Sequence, residues 1–344
     1  MPICTIVPPY ILARLAHSER RNGRVCEAAA RTLELTRRLN AERHESTAKS
    51  SERTTRAVEQ ACVRIVYDAR GRTTLPGTRV RSEGDDVVAD TIVDEAYAGA
   101  GLVYRFFNEV FKRNSIDGRG MHLVSSVHFS YEFHNAFWNG RQVVYGDGDE
   151  DVFSRFTFCP DIVCHEFMHG ITQHECGLGY DDQAGALNES ISDVFGSLLK
   201  QWHRKQTVDE ADWLIGDGVF LVPRARALRS LKAPGHAYNS DEIGRDPQPW
   251  HMRDYVADPD WGGIFLNSGI PNHAFFLAAK ALGGYAWETV GPIWYATVRG
   301  ELPADATFAA FARATLGHAA SVSSDAERAV RHGWRVVGVL GGDD

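Results

Sequence analysis

The run Cys164-His165-Glu166-Phe167-Met168-His169-Gly170 constrains this 344-residue chain more than any other stretch. Histidines four apart project from one face of a helix, one turn above the other, so both imidazoles can reach a single Zn²⁺ at about 2.0–2.1 Å. The surrounding pattern therefore predicts a helix over Ile162 to Gln173. Glu166 stands beside the first histidine and can reach a metal-bound water without being a ligand itself. A catalytic zinc needs a third protein ligand and an open position. Downstream, in Ala186-Leu-Asn-Glu-Ser-Ile-Ser-Asp-Val-Phe-Gly196, Glu189 and Asp193 are four apart and share a helical face. His165, His169 and Glu189 then complete a ligand set for one catalytic zinc, and Asp193 is placed to accept the second ring N–H of a ligand histidine. Two carboxylates on a solvated face are the plainer alternative. Their apolar surroundings weigh against it, because charge there is costly unless paired.

The length predicts about two domains. Hydrophobic residues at 44% and charged residues at 24% are ordinary for a soluble globular chain and exclude collagen-like, disordered and coiled-coil classes. A net charge of -8 argues against a nucleic-acid partner, and no run of about 18 apolar residues exists to span a membrane. A monomer acting on peptides or proteins is the expectation. The N-terminus lacks a basic region, and Pro8-Pro9 interrupts its apolar run. No classical signal peptide is expected, which leaves a cytoplasmic chain or export by a non-classical route. The six cysteines, Cys4, Cys26, Cys62, Cys159, Cys164 and Cys176, form no Cys-x-x-Cys pair and read as mostly buried thiols. Cys164 and Cys176 read as packing residues, since a nucleophilic cysteine needs a dedicated histidine base.

Charge is unevenly distributed. Residues 1–60 hold eleven Lys/Arg against seven Asp/Glu, a net of +4 that leaves -12 for the remainder. Within that basic stretch Cys26 to Leu39 has helical patterning, and Glu45 to Thr55 is a polar, linker-like tract. It is either a helical decoration or a removable pro-segment. Strand-like runs follow at Val63–Tyr67 and Val124–Phe129, with a helical stretch between them from Asp90 to Arg113. From Asp161 onwards helices dominate, at Ile162–Gln173, Ala186–Lys200, Pro271–Leu282 and Ala304–Leu316. The fold class expected is α+β, divided into 1–60 as pro-segment and linker, 61–180 as a strand-rich lobe with the H-E-x-x-H helix, and 181–344 as a helical lobe.

These blocks resemble the thermolysin family of zinc metallopeptidases. His165-Glu-Phe-Met-His-Gly-Ile-Thr-Gln173 and Gly185-Ala-Leu-Asn-Glu-Ser-Ile-Ser-Asp193 match its signatures, as do Asn135-Ala-Phe-Trp-Asn-Gly140, Tyr145-Gly-Asp-Gly-Asp149, Ala227-Leu-Arg-Ser-Leu231 and Asn267-Ser-Gly-Ile-Pro-Asn272. Ile6-Val-Pro-Pro-Tyr10 and Gln206 to Gly216 resemble the protealysin branch, whose short pro-segment covers the cleft until it is cleaved. The resemblance implies a two-lobed fold with zinc in the cleft, Glu166 as general base and Tyr180 as donor to the oxyanion. It further implies that Asn135 and Ala136 hold substrate as an added strand and that Arg229 binds a substrate carbonyl. Phe153, Phe156, Ile162 and Leu228 would form a pocket for a bulky apolar residue after the scissile bond, although plain core packing is the commoner fate of such side chains.

Three positions depart from the pattern or stand apart from it. Phe265 in Asp260-Trp-Gly-Gly-Ile-Phe265-Leu-Asn-Ser-Gly269 takes the place of the family's donor histidine, while its orienting partner Asp260 remains. Loss of one oxyanion donor costs about 10²–10³ in rate. A weakened endopeptidase follows, its donor either missing or replaced by a histidine such as His251 or His273; the alternative is a zinc-binding but catalytically impaired relative that captures peptides or partners. Calcium is doubtful, because Asp161 fits a family calcium site but Lys200 stands where a further acidic ligand is expected. Cys4 could offer a thiolate to the open zinc position, though a lone cysteine is usually a small apolar residue.

Overall fold

Strong caps and uneven burial set where the elements begin and end. The structure, a computed structural model, describes residues 3–46, 62–257 and 262–341. In chain order its elements are β1 (Cys4–Thr5), α1 (Pro9–Ala16), α2 (Gly23–Ser46), β2 (Arg64–Asp68), β3 (Thr78–Ser82), α3 (Thr91–Phe111), β4 (Leu123–Val127), β5 (Ala136–Trp138), β6 (Val143–Tyr145), α4 (Pro160–Glu175) and α5 (Asp182–Arg204). There follow β7 (Leu214–Ile215), β8 (Arg229–Ser230), β9 (Asn239–Ser240), β10 (Gly244–Arg245), α6 (Gly262–Asn267), α7 (Gly269–Leu282), α8 (Val290–Val298), α9 (Phe308–Val322) and α10 (Ser324–Val336). A strand-rich first part thus leads into a mostly helical second part, as the α+β expectation has it. The chain divides into two compact units, Met1–Ile171 with Gly218–Pro223 and Ser240–Gly244, and the remainder, with the main boundary inside α4.

The first unit is built on a sheet of order β1-β5-β6-β4-β2-β3. Strands β2, β4 and β6 run parallel, whereas β3, β5 and β1 attach antiparallel. Helix α3 packs against β2 and β4. It starts where the Asp90 carboxylate accepts from the N–H groups of Ile92 and Val93, and it stops at Lys112, whose φ of 55° cannot continue a helix. Helix α4 approaches the sheet closely at Gly170, where a Cβ would come within 2.9 Å of the Trp138 ring and 2.7 Å of Ile116. Glycine at the end of the H-E-x-x-H block is thus a packing requirement. The N-terminal elements belong to this unit's core, because Ile3 joins Phe129, Phe133, Phe137 and Val144, and Leu35 and Leu39 of α2 pack against them. Helix α2 runs past the expected Leu39 to Ser46, so the start of the polar tract is helical; the rest of that tract lies outside the described residues.

In the second unit α5 is buried continuously from Ala184 to Gln201, which is why its polar residues all need partners. Around it, α7 packs on α10 and α8 on α9, and a ring cluster joins Phe275, Trp294 and Trp334, the two indoles stacked at 6.0 Å. Among the described residues no helix is long and apolar enough to cross a membrane. The cysteine expectation needs correction. Cys159 and Cys164 are buried free thiols, but Cys26, Cys62 and Cys176 are partly exposed, since they sit on the α2 surface, ahead of β2 and in the turn that follows α4.

Candidate active site

Helix α4 carries His165 and Glu166 at 0% exposure and His169 at 2%. One turn of helix separates the two histidines, and their Nε2 atoms lie 3.1 Å apart with the rings nearly perpendicular at 86°. Two imidazoles bound tetrahedrally at about 2.0–2.1 Å would have their nitrogens about 3.3 Å apart, so this spacing suits a shared cation. On α5, Glu189 is fully buried, and the Tyr180 hydroxyl donates to its carboxylate. Among the described residues His165, His169 and Glu189 form a buried group whose ligand atoms all lie within 4.8 Å of one another. Two nitrogens and one carboxylate oxygen are a donor set that zinc accepts.

Asp193, one turn further along α5, accepts from Arg229 Nε at 2.8 Å and Nη2 at 2.9 Å, and from Asn272 Nδ2 at 2.9 Å. Arg229 and Asp193 are both fully buried, so this two-pronged ion pair is shielded from solvent. At the sheet edge, Asn135 makes a pair of bonds to one residue of the N-terminal segment. Its Oδ1 accepts from the Val7 N–H at 2.8 Å, and its Nδ2 donates to the Val7 carbonyl at 3.1 Å. Next to it, the Ile6 N–H donates to the Ala136 carbonyl at 3.0 Å, and β1 continues antiparallel along β5 with Thr5 opposite Phe137 and Cys4 opposite Trp138.

Comparison with known proteins gives this geometry its context. A family model described as the thermolysin metallopeptidase catalytic domain matches residues 29–173, and one described as the thermolysin metallopeptidase alpha-helical domain matches residues 176–339. An extracellular metalloprotease of Pectobacterium carotovorum subsp. carotovorum is 46% identical over 346 residues, covering 98% of this chain and 97% of that protein. The chain belongs to the thermolysin family. It is also 42% identical over 345 residues to Protease PrtS of Photorhabdus sp. (strain Az29), covering 97% of this chain and 91% of that one. A solved structure of the precursor of protealysin, a metalloproteinase from Serratia proteamaculans, superposes with a TM-score of 0.88 at 47% identity, covering 98% of this chain and 100% of the other. The chain is accordingly a thermolysin-like zinc metalloendopeptidase of the protealysin kind.

Other expected positions fall in definite surroundings. Phe265 is buried on α6, and its carbonyl accepts from Gln248 Nε2 at 2.7 Å. Asp260 lies outside the described residues, as does the side chain of Cys4. Of the two substitute histidines, His251 accepts the Arg253 N–H at the start of a short 3-10 turn, and His273 has its Nδ1 at 3.2 Å from the Leu231 carbonyl. Burial holds the His273 imidazole below its ordinary pKa, so it is the neutral form that packs there. Phe153, Phe156, Ile162 and Leu228 are all fully buried, and the first two rings are 6.0 Å apart. Burial lifts the Cys164 thiol well above its usual range, which disfavours the thiolate a nucleophile needs. Sequence reasoning did not single out Asn272 as a partner of Asp193, although the quoted Asn267–Asn272 block held it. It also missed Glu132 and His134, just ahead of Asn135, for which the basic bias of residues 1–60 was the available signal.

Proposed function

We propose that the chain is made as a zymogen of a neutral endopeptidase, in which residues Cys4–Val7 occupy the strand position that substrate takes in the mature enzyme. The observation that carries this reading is the pair of Asn135 amide bonds to Val7, continued by β1 along β5. A peptide added to a sheet edge gains main-chain bonds in the same way. Segment and substrate would therefore compete for the same donors and acceptors.

His165, His169 and Glu189 are the residues that would hold zinc. Bound there, zinc supplies a Lewis acid and lowers the pKa of a bound water towards about 7. Glu166 takes the proton of the attacking water and later delivers it to the leaving amine. Its burial beside a neutral Tyr145, whose phenol is pushed far above its ordinary range by burial and then by the Glu166 charge, keeps bulk water from competing for that proton. Tyr180 donates to the developing oxyanion, a role its contact with Glu189 supports. Asp193 fixes the Arg229 guanidinium, which serves a substrate carbonyl. Asn135 and Ala136 align the substrate backbone, and Phe153, Phe156, Ile162 and Leu228 favour a bulky apolar residue at P1′.

Intact mass before and after incubation with zinc tests the whole reading, with Glu166→Ala as control. Loss of the N-terminal segment through the tract Glu45–Thr55 in the unaltered protein alone is expected. The same loss in both proteins, or in neither, overturns self-processing.

A further inference from the structure

The first unit holds a cavity of about 640 Å³ lined by Arg24, Asp68, Asp90, Glu132, Asp147 and Asp149, among others. Three of its carboxylates are answered by residues outside the N-terminal segment. Asp68 faces Arg70 at 3.7 Å, while His128 bridges Asp147 at 2.8 Å and Asp90 at 2.9 Å. Glu132 differs. Its side chain is only 6% exposed, and among the described residues its ion pairs are with Arg24 and Arg31, both on α2 of the N-terminal segment. Arg24 Nε donates to Glu132 Oε1, and Arg24 Nη2 reaches the Asp149 carbonyl at 3.4 Å.

Asp149 lines the same cavity. Asp149 is 95% buried, at 5% exposure, and its Oδ1 is locked by the backbone N–H groups of Asp151, Val152 and Phe153 at 2.8–3.0 Å. Its Oδ2 has no hydrogen bond, lying 3.3 Å from His134 Nε2 without the geometry for one. Neither nitrogen of His134 has a hydrogen-bond partner either, and the ring rests on Phe153 at 5.2 Å. A buried carboxylate oxygen left unbonded is costly, and a cationic donor removes that cost. The group already present in the cavity is a guanidinium, whose planar fork meets the Glu132 carboxylate and the Asp149 main-chain carbonyl together.

The geometry points to a guanidinium-binding subsite formed by Glu132 and Asp149, filled in the full chain by Arg24 and, after the segment leaves, by an arginine side chain of a polypeptide substrate. The substrate half rests on the N-terminal segment being a pro-segment; the binding half does not. Arg24 is more than half exposed, so Arg24→Ala in the full chain opens the subsite without disturbing the core, and Arg24→Gln serves as a second variant. Nα-acetyl-arginine amide should then raise the Tm of either variant saturably, while leaving the unaltered chain unmoved. Nα-acetyl-citrulline amide, the same shape without charge, should have no effect, and Glu132→Gln added to Arg24→Ala should abolish the rise. Equal responses in variant and unaltered chain, or equal responses to arginine and citrulline, overturn the subsite. A rise with calcium chloride alone overturns it too, by marking a divalent-cation site.

Peptides in which arginine or citrulline is moved through successive positions test the substrate half. At one position the arginine peptide should have about tenfold higher kcat/KM, the worth of one charge-assisted contact. Cleavage without that preference overturns the substrate half while leaving the peptidase intact. No cleavage at all would instead count against the reading of the catalytic site, and the Tm shifts would still decide the subsite.

Discussion

On the proposed mechanism, a phenylalanine with 1% exposure at position 265, the place expected to hold a donor histidine, would leave oxyanion stabilisation to Tyr180 and the metal. Of the two substitute histidines, His273 spends its Nδ1 on the Leu231 carbonyl, whereas His251 accepts the Arg253 N–H at Nδ1 and so carries its proton on Nε2. Restoring the donor by Phe265→His should raise kcat on a quenched peptide, by up to about 10²–10³. No change would mean that this position does not face the reacting carbonyl. His128 gives a second residue-scale expectation. Its hydrogen bond to Asp147, then the charges of Asp147 and Asp90, outweigh partial burial and raise its pKa from 6.5 to about 9. A folded-state pKa above the unfolded one stabilises fully below the unfolded value and is lost as pH rises through the folded value. The Tm gap between the unaltered chain and His128→Gln should therefore be widest below about pH 6.5 and close above about pH 9. A gap independent of pH would contradict it. At this scale the sequence was highly legible where spacing is local: His165, Glu166 and His169 share one helix, so their relation is written into a span of five positions. Glu132 and Arg24 were not legible, because nothing local couples residues 108 positions apart.

Among the elements, the long helices could be read because periodic burial accumulates over many residues, as α3, α4 and α5 illustrate. Strand β1 could not. Two residues carry no period, and its existence depends on β5, with Asn135 reaching Val7 across 128 positions. Its contribution can be measured. Ile6→Pro removes the N–H that Ile6 donates to Ala136, a loss of ~1 kcal/mol that should speed release and processing of the segment roughly fivefold. The time course of intact mass in the presence of zinc reads the rate, and an unchanged rate would show that edge pairing does not restrain the segment.

For the molecule as a whole, calcium is the clearest test of how this chain differs from its relatives. Lys200, 2% exposed, puts its ammonium 2.9 Å from Asp212 and 2.5 Å from the Leu214 carbonyl, so a buried positive charge stands where the family pattern calls for an acidic ligand. Added calcium should leave Tm unchanged, whereas a rise of several degrees would refute the expectation. The charge asymmetry visible in the sequence also finds a structural form, since Arg24 and Arg31 meet Glu132 while Arg20 and Arg21 meet Asp241 and Glu242. On the zymogen reading, one consequence concerns dilution. Tethered to its own chain, β1 meets β5 at an effective concentration of order millimolar, whatever the amount of protein present. Secreting or diluting such a molecule would not wake it, and the same residues supplied as a free peptide would inhibit poorly. Only a cut in the tether changes that arithmetic, so each molecule would keep time by a covalent event of its own.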